Sequence, residues 1–358
     1  MNFQRMAEAF KMSGRLISRN RFGSGHINDT YILTTSKNRN YILQHINKNV
    51  FKNPTQVMEN AYNVTNYIRN KGGIALKFLL TQKGLPYYCD DNGEYWRAYE
   101  YLGGLCMDMV ETPNDFFQSG LAFGQFQNQL IDYPAHTLHE TIPNFHNTPE
   151  RFKQLHESVD KNLSGRRNTC QEEINFLFSY EDKVGELQNM LESGILPLRV
   201  THNDTKLNNV LLNPDTHEPL CVLDLDTVMP GLSAYDYGDA IRSGANTAAE
   251  DEKDVSKVSM DLELFEVFTH GFLQGAPNLT EKEKEVLPLG VITIALELAS
   301  RFLKDYIDGD LYFKTDYPEH NLVRCRTQIA MCKDIMAHWD DMHEIIHRII
   351  NEKLKEVA

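Results

Sequence analysis

The stretches VTHNDTKLNNV (residues 200–210) and VLDLDT (residues 222–227) decide how this chain folds. The first places a histidine, an aspartate, a lysine and an asparagine in the spacing H-x-D-x-K-x-x-N, and the second is an apolar segment that ends in Asp224. Apolar residues flank both polar loops, which predicts short strands that fix them. An ordinary β-hairpin is the simpler explanation, but turn chemistry accounts only for the Asn-Pro at 213–214 and leaves the polar residues of both loops unexplained.

The polar residues of these loops are the types that hold a hydroxyl, a divalent cation and a triphosphate together. Asp204 would orient an attacking hydroxyl or accept its proton. Asn209 and Asp224 offer the amide and carboxylate oxygens that Mg²⁺ prefers. Lys206 would stabilise charge on the transferring phosphoryl group, although it could also be a solvated loop lysine. The pattern therefore predicts phosphoryl transfer from ATP with Mg²⁺ as the metal.

Composition narrows the class of partner and the compartment. The 358 residues are enough for two lobes with separate cores. A formal net charge of −14 argues against nucleic acid and against an anionic membrane surface. The six cysteines form no C-x-x-C pair, which favours free thiols in a reducing compartment. With no signal-peptide pattern at 1–12 and no apolar run that could span a bilayer, we expect a cytoplasmic protein of undetermined oligomeric state.

Hydrophobic periodicity divides the chain near residue 102. Before it, residues 21–33 are expected to form a strand, a glycine-bearing turn and a second strand. Further strands are expected at 41–46, 79–88 and 95–102, with one helix at 55–72. After it, helices are expected at 115–130, 148–161, 170–192, 261–274, 280–309 and 324–356. We therefore expect an α+β, two-lobed protein-kinase-like fold, with a small five-stranded antiparallel N-lobe at 1–102, a larger and mainly helical C-lobe at 103–358, and a hinge near residues 99–103.

Several stretches beyond the catalytic motif carry a resemblance. They are GHIN (25–28), YILQ (41–44), YEYLGG (99–104), YDYGD (235–239), MPG (229–231) and YPEHNLVR (317–324). With the two catalytic stretches, they resemble the aminoglycoside phosphotransferase and choline kinase superfamily, and within it the N-acetylhexosamine 1-kinases. The resemblance implies transfer of the ATP γ-phosphoryl group to the anomeric C1 hydroxyl of an N-acetylhexosamine (GlcNAc or GalNAc).

The same resemblance implies residues that bind the two substrates. For the nucleotide these are the glycine-bearing turn with Gly23 and Gly25 and the hinge residues Tyr101 and Leu102. For the sugar they are Asp204 itself together with His26, Thr227, Arg301 and Tyr312. The alternative for Arg301 is a buried ion pair with Asp305, four residues on. Asp236 and Asp239 are expected to brace the catalytic loop.

The third strand departs from the pattern of many relatives, which carry a lysine there to hold the α- and β-phosphates. Gln44 stands near that place in this chain. Because glutamine supplies no charge, we predict that Arg97 on a neighbouring strand is the missing cation. The role of Asp226 stays open: strand alternation would turn it away from Asp224, or it could bind the metal or support the loop.

A second motif points elsewhere. His343-Glu-Ile-Ile-His347 matches H-E-x-x-H, whose two histidines share one helical face and can bind zinc. Only eleven residues follow, and the isoleucines of this segment have the spacing of a helix packed on the C-lobe. We therefore favour the kinase over a metalloprotease. Kinases of another small alcohol (choline, an aminoglycoside or methylthioribose) and a catalytically inactive nucleotide-binding regulator remain as alternatives.

Overall fold

The N-lobe is a five-stranded antiparallel sheet. The computed structural model describes residues 3–23 and 28–357. The strands are β1 (Leu16–Arg21), β2 (Asp29–Thr35), β3 (Asn40–Ile46), β4 (Tyr88–Cys89) and β5 (Tyr95–Glu100), in the order β1-β2-β3-β5-β4. Two helices accompany the sheet, α1 (Phe3–Ala9) and α2 (Pro54–Asn70).

Alternation along the strands gives the sheet two different faces. Leu43 of β3 and Trp96 of β5 are buried with α1 on one face. Their neighbours Gln44 and Arg97 point to the opposite face, where the Met58 sulfur of α2 lies 3.9 Å from the Arg97 guanidinium. Arg97 is thus buried, with the half-buried Gln44 beside it, on the face that looks toward the rest of the molecule.

The expected strand at 79–88 is wrong over most of its length. Only Tyr88–Cys89 forms a strand, and the preceding residues make a turn in which Thr81 N bonds Leu85 O at 2.8 Å. Gly84 has a positive φ of 77° at the centre of that turn, and Pro86 has no N–H to give to a ladder. The hydrophobic count suggested a strand, but the glycine and the proline break it.

The C-lobe contains most of the helices. They are α3 (Pro113–Gln129), α4 (Thr148–Lys161), α5 (Gln171–Phe178), α6 (Glu186–Glu192), α7 (Ser233–Gly244), α8 (Leu262–Gly275), α9 (Glu281–Glu285), α10 (Leu287–Asp308), α11 (His320–Ala337) and α12 (Trp339–Val357). Four short strands form two antiparallel pairs, β6 (Arg199–Thr201) with β9 (Met229–Gly231) and β7 (Val210–Leu212) with β8 (Pro219–Val222). The two-lobed α+β fold is confirmed, whereas the boundary at 102/103 stays a prediction.

Three of the expected long helices are divided, and α7 was not expected. The segment 170–192 is interrupted by turns between α5 and α6, 280–309 breaks at Val286 before Pro288, and 324–356 breaks at His338. Proline at the second break lacks the N–H that a continuous helix needs. Across the described residues, none of the helices combines the length and apolarity needed to cross a bilayer.

Helices α3 and α8 are packed at backbone distance. A Cβ on Gly120 or Gly124 of α3 would lie 2.3 or 2.2 Å from a carbonyl oxygen of α8, and one on Gly271 would lie 2.1 Å from Phe117 O. Real Cβ atoms do not come this close to backbone, so these positions require glycine. This close pair supports β6 and α7, which position the catalytic loop and its bracing residues.

Candidate active site

Two strand pairs bring the catalytic loop and Asp224 together. Strand β6 leads into the loop at 202–206, and the β7–β8 hairpin returns the chain to Leu223 and Asp224. Leu223 N donates to Asn209 O at 2.7 Å, and His202 Nε2 lies 2.7 Å from Leu223 O. The β-hairpin that was the simpler explanation of this sequence is therefore present. It does not exclude the functional interpretation, because the hairpin itself positions Asp224 beside the catalytic loop.

Asp204 is surrounded by the other polar residues of its loop. Lys206 Nζ lies 3.0 Å from one carboxylate oxygen, and Asn209 Nδ2 donates to the other at 3.0 Å and to the Asp204 carbonyl at 2.8 Å. The Asp204 side chain is 31% exposed, so a hydroxyl can reach it. Burial opposes the charge on Lys206, but Asp204 and Asp239 outweigh it and raise the Lys206 pKa, so this lysine is a cation at neutral pH.

Asp224 has the properties of a cation ligand. Its backbone is left-handed, with φ 51° and ψ 61°, a conformation that costs free energy for a non-glycine residue and is typical of functional sites. The side chain is 46% exposed, so a cation can reach the carboxylate. Desolvation and the nearby Asp226 raise its pKa to about 6. A bound cation would stabilise the charged form of this carboxylate.

The donor set fits Mg²⁺. Because the Asn209 amide nitrogen is bonded to Asp204, its side-chain oxygen is the atom that remains for a metal. Within 3–23 and 28–357, no three or more His, Cys, Asp and Glu side chains are grouped so that they could hold a metal ion. Mg²⁺ commonly takes one or two protein oxygens and completes its shell with phosphates and water, which matches Asn209 and Asp224.

Two buried carboxylates of α7 brace the catalytic loop, as the sequence suggested. Asp236 accepts hydrogen bonds from the backbone N–H groups of His202 and Asn203, each at 2.8 Å, and from Gln127 Nε2 at 2.6 Å. Asp239 accepts from Thr205 N at 3.0 Å and pairs with Arg242 at 2.8 Å. These contacts fix the loop backbone on both sides of Asp204.

Arg97 is buried and paired with a carboxylate of the C-lobe. Its side chain is 2% exposed, Nη1 bonds Asp226 Oδ1, and Nε donates to Gln44 Oε1 at 2.8 Å. Its Nη2 lies 3.9 Å from Asp224. Gln44 and Arg97 are direct cross-strand partners, so the Arg97 guanidinium lies next to Gln44. Its proposed contact with the triphosphate stays a prediction.

The glycine segment predicted to bind the nucleotide is only partly described, whereas the hinge residues are described in full. Gly23 has a positive φ of 76° and open space where a Cβ would be, whereas Gly25 and His26 lie outside the described residues. Tyr101 N is bonded to Asn40 O at 3.1 Å, so the Tyr101 carbonyl and the backbone of the exposed Leu102 remain as candidate partners for adenine.

The residues predicted to bind the acceptor lie on separate elements. Thr227 donates its hydroxyl to His202 O at 2.7 Å, and Tyr312 is 69% exposed. Arg301 Nη1 lies 3.6 Å from Glu297, four residues before it, and its guanidinium is 5.5 Å from the Phe145 ring centroid and 5.6 Å from that of Phe313. The carboxylate that pairs with Arg301 is therefore Glu297.

Asp305, the alternative partner of Arg301, is committed elsewhere. Its carboxylate accepts the backbone N–H groups of residues 311–313 at 2.8–2.9 Å and the Asn321 amide at 2.8 Å. It thereby anchors the loop that carries Tyr312.

A cavity of about 310 Å³ adjoins the catalytic loop, and its wall includes Asn203, Phe145, His146 and Tyr235. His146 Nδ1 lies 3.1 Å from Glu297, so this wall and Arg301 share one carboxylate. Sequence reasoning missed His146 and Glu297. A glutamate inside the apolar run of α10 was the available signal, because a buried charge requires partners.

Comparison with known proteins agrees with this geometry. Residues 18–256 match the model of the phosphotransferase enzyme family. The chain belongs to the phosphotransferase enzyme family. The match includes Asp204, Asn209 and Asp224 and ends before Arg301 and Tyr312.

Solved structures of low sequence identity share the fold. One is an amicoumacin kinase in complex with AMP-PNP, Ca²⁺ and Ami, with 15% identity, 92% of each chain covered and a TM-score of 0.61. Another is a microcompartment-associated aminopropanol kinase, with 15% identity, 95% of this chain and 98% of that chain covered and a TM-score of 0.59. A choline kinase from Cryptosporidium parvum has 13% identity, 90% of each chain covered and a TM-score of 0.54.

The H-E-x-x-H segment of this phosphotransferase lies on α12. His343 packs edge-on against Trp339, with ring centroids 5.0 Å apart, and the two histidine rings are 6.4 Å apart. Among the described residues, no third metal ligand accompanies the two histidines. We therefore interpret this segment as part of a packed helix and not as a zinc site.

Proposed function

We propose that this phosphotransferase is an ATP- and Mg²⁺-dependent kinase that phosphorylates the C1 hydroxyl of N-acetylhexosamines and yields the sugar 1-phosphate and ADP. The observation that carries the kinase assignment is the Asp204 carboxylate with Lys206 and Asn209 within 3.0 Å and Asp224 on the adjoining turn. The assignment to N-acetylhexosamine rests on the resemblance of the sequence and on the charge of the acceptor side.

Each residue has a role in the transfer. Asp204 accepts a hydrogen bond from the C1 hydroxyl, aims its oxygen at the γ-phosphorus and takes its proton as the new P–O bond forms. Lys206 lies beside this carboxylate and places a positive charge next to the transferring group. Asn209 and Asp224 would hold Mg²⁺, which neutralises charge on the β- and γ-phosphates when bound. The braced loop keeps these groups in place before substrate arrives.

The charges on the acceptor side favour a neutral alcohol. Both oxygens of Glu297 have neighbours besides Arg301, since His146 and Thr148 lie 3.1 and 3.2 Å away. A second guanidinium, that of Arg151, bonds Phe145 O at 3.0 Å. Burial and the charge of Arg301 lower the Arg151 pKa. Arg301 pairs with Glu297, and Arg151 lies close enough for the charge of Arg301 to act on it. Two neighbouring guanidinium groups disfavour a cationic acceptor and can donate to sugar hydroxyls.

Product analysis tests the proposal. The protein is incubated with ATP, MgCl₂ and one acceptor at a time (GlcNAc, GalNAc, choline, an aminoglycoside or methylthioribose), and ³¹P–¹H NMR identifies the phosphorylated carbon. We expect a C1 phosphate from the N-acetylhexosamines and none with Asp204→Asn. Turnover of a cationic alcohol alone would reject the acceptor class, and nucleotide binding without any turnover would reject the kinase.

A further inference from the structure

The turn that follows Asp224 is held by the N-lobe. Asp226 belongs to the C-lobe and is 3% exposed, yet Oδ1 bonds Arg97 of β5 and Oδ2 accepts from Asn28 Nδ2 at 2.6 Å. Asn60 of α2 donates to Val228 O at 2.9 Å, two residues further on. Three buried N-lobe side chains thus bind one short stretch of the C-lobe.

Burial makes this contact obligatory. A buried carboxylate and a buried guanidinium each need a partner, since an isolated charge is strongly disfavoured away from water. The charged partner of Asp226 is Arg97 of the N-lobe, and that of Arg97 is Asp226 of the C-lobe. The buried charge of each lobe is therefore compensated by the other lobe. The two N-lobe donors occupy one oxygen each of Asp226, and Asn28 Oδ1 is itself fixed by Asn47 N at 3.0 Å.

The position of the contact connects the two halves of the nucleotide site. Asn28 immediately precedes β2, and Asp226 lies two residues after Asp224. We infer that Asp226, Arg97 and Asn28 form an interlobe clamp that positions Asp224 under the nucleotide. Asp226 is then a positioning residue and no metal ligand, and the charge of Arg97 serves this carboxylate.

The clamp also limits the pairing of Arg97 with Asp224. Their nearest atoms are 3.9 Å apart, a long ion pair, so removal of the Asp226 charge frees the guanidinium to pair more closely with Asp224 and to compete with the cation there. Removal of both charges ends that competition. A double variant that is neutral at both 97 and 226 therefore distinguishes three possibilities: the clamp, a metal ligand at 226, and a phosphate ligand at 97.

Calorimetric binding of Mg·AMP-PNP tests the clamp without any acceptor, so its outcome is independent of the proposed sugar. We expect Asp226→Asn and Arg97→Gln each to weaken the affinity roughly 10- to 100-fold. The double variant should recover to within about threefold of wild type. The melting temperatures of the nucleotide-free proteins should rank in the same order, with both single variants below the double variant and wild type. Because no metal is present in this measurement, loss of a metal ligand would not produce that order.

The opposite results overturn the clamp. A double variant as weak as Asp226→Asn identifies Asp226 as a metal ligand, and one as weak as Arg97→Gln identifies Arg97 as a phosphate ligand. Should the single variants not fold, the neutral change Asn28→Ala decides: we expect about a 3- to 10-fold loss of affinity, and wild-type affinity refutes the clamp. As a control, Glu173→Gln removes a buried carboxylate that pairs with Arg326 at 2.6 Å between α5 and α11, and an equal loss there would reveal general destabilisation instead.

Discussion

Glu283 joins three elements that support the catalytic loop, and its replacement by glutamine should destabilise the protein in a pH-dependent way. Its carboxylate receives Arg199 Nε and Nη2 from β6, both at 2.8 Å, and Ser233 Oγ from the start of α7 at 3.2 Å. It also caps α9 by accepting Thr280 N at 2.9 Å. Glutamine keeps the shape of the side chain and removes its charge.

The magnitude follows from burial. The side chains of Glu283 and Arg199 are 2% and 12% exposed, so Glu283→Gln leaves a guanidinium without its carboxylate where little water can reach it. Breaking one partner of a buried pair costs about 3–5 kcal/mol, and the residual exposure of the arginine favours the lower end. We expect a loss of about 3 kcal/mol in the free energy of unfolding at pH 7.

The pH dependence has a definite sign. Burial opposes the charge on Glu283, but the hydrogen bonds from Arg199 and Thr280 outweigh it and lower the pKa from its ordinary value of 4.5. A lowered pKa in the folded state gives stability that is present above pH 4.5 and is lost as the pH falls through the folded value. Glutamine cannot titrate, so the gap between wild type and Glu283→Gln should narrow in acid.

Urea unfolding between pH 7 and pH 3, monitored by tryptophan fluorescence, measures both effects. Glu281→Gln is the matched control, because Glu281 stands in the same helix, is 79% exposed and pairs with Lys284 at the surface. It should unfold like wild type. A loss below about 1 kcal/mol for Glu283→Gln, or a gap that stays constant with pH, would refute the reasoning.

Three further predictions concern the loop and its support. Lys206→Ala should lower kcat roughly 100-fold and leave the acceptor KM nearly unchanged in steady-state assays, because its charge acts in the transition state; an unchanged kcat contradicts this role. Asp236→Asn should lower kcat about 10-fold or more with little change in nucleotide affinity, because an amide cannot accept from both loop N–H groups and Gln127 as the carboxylate does. Gly271→Ala should cost about 2–3 kcal/mol in urea unfolding, since its Cβ would lie 2.1 Å from Phe117 O, while Gly194→Ala at an exposed turn tests backbone strain alone.

The catalytic loop could be predicted because its chemistry is local in sequence. Asp204, Lys206 and Asn209 lie within six positions, and the hairpin that returns to Asp224 is short. The first three strands were predictable for the same reason, since each pairs with its neighbour along the chain. Short separations leave few alternative arrangements, so residue spacing alone indicates them.

Long-range partners could not be predicted in this way. Glu297 and Asp305 lie four residues before and after Arg301, so helical spacing allows either as its partner. The choice depends on the loop at 311–313, whose N–H groups bind Asp305, and on His146, which approaches Glu297 from another element. The close contact of α3 and α8 was also missed, although glycines four apart on both helices were a usable signal.

Asp226 shows why strand alternation does not hold after Asp224. Alternation holds only while the backbone stays extended, and Asp224 adopts a left-handed conformation that opens a 3₁₀ turn at Leu225–Thr227. Asp226 therefore points to the N-lobe sheet and meets Arg97. The register places Arg97 of β5 directly opposite Gln44 of β3. Opposite residues of an antiparallel pair have Cβ atoms about 5 Å apart, so the two side chains meet, and Arg97 Nε donates to Gln44 Oε1 at 2.8 Å. The two positions are 53 residues apart in sequence, and only the folded sheet makes them neighbours.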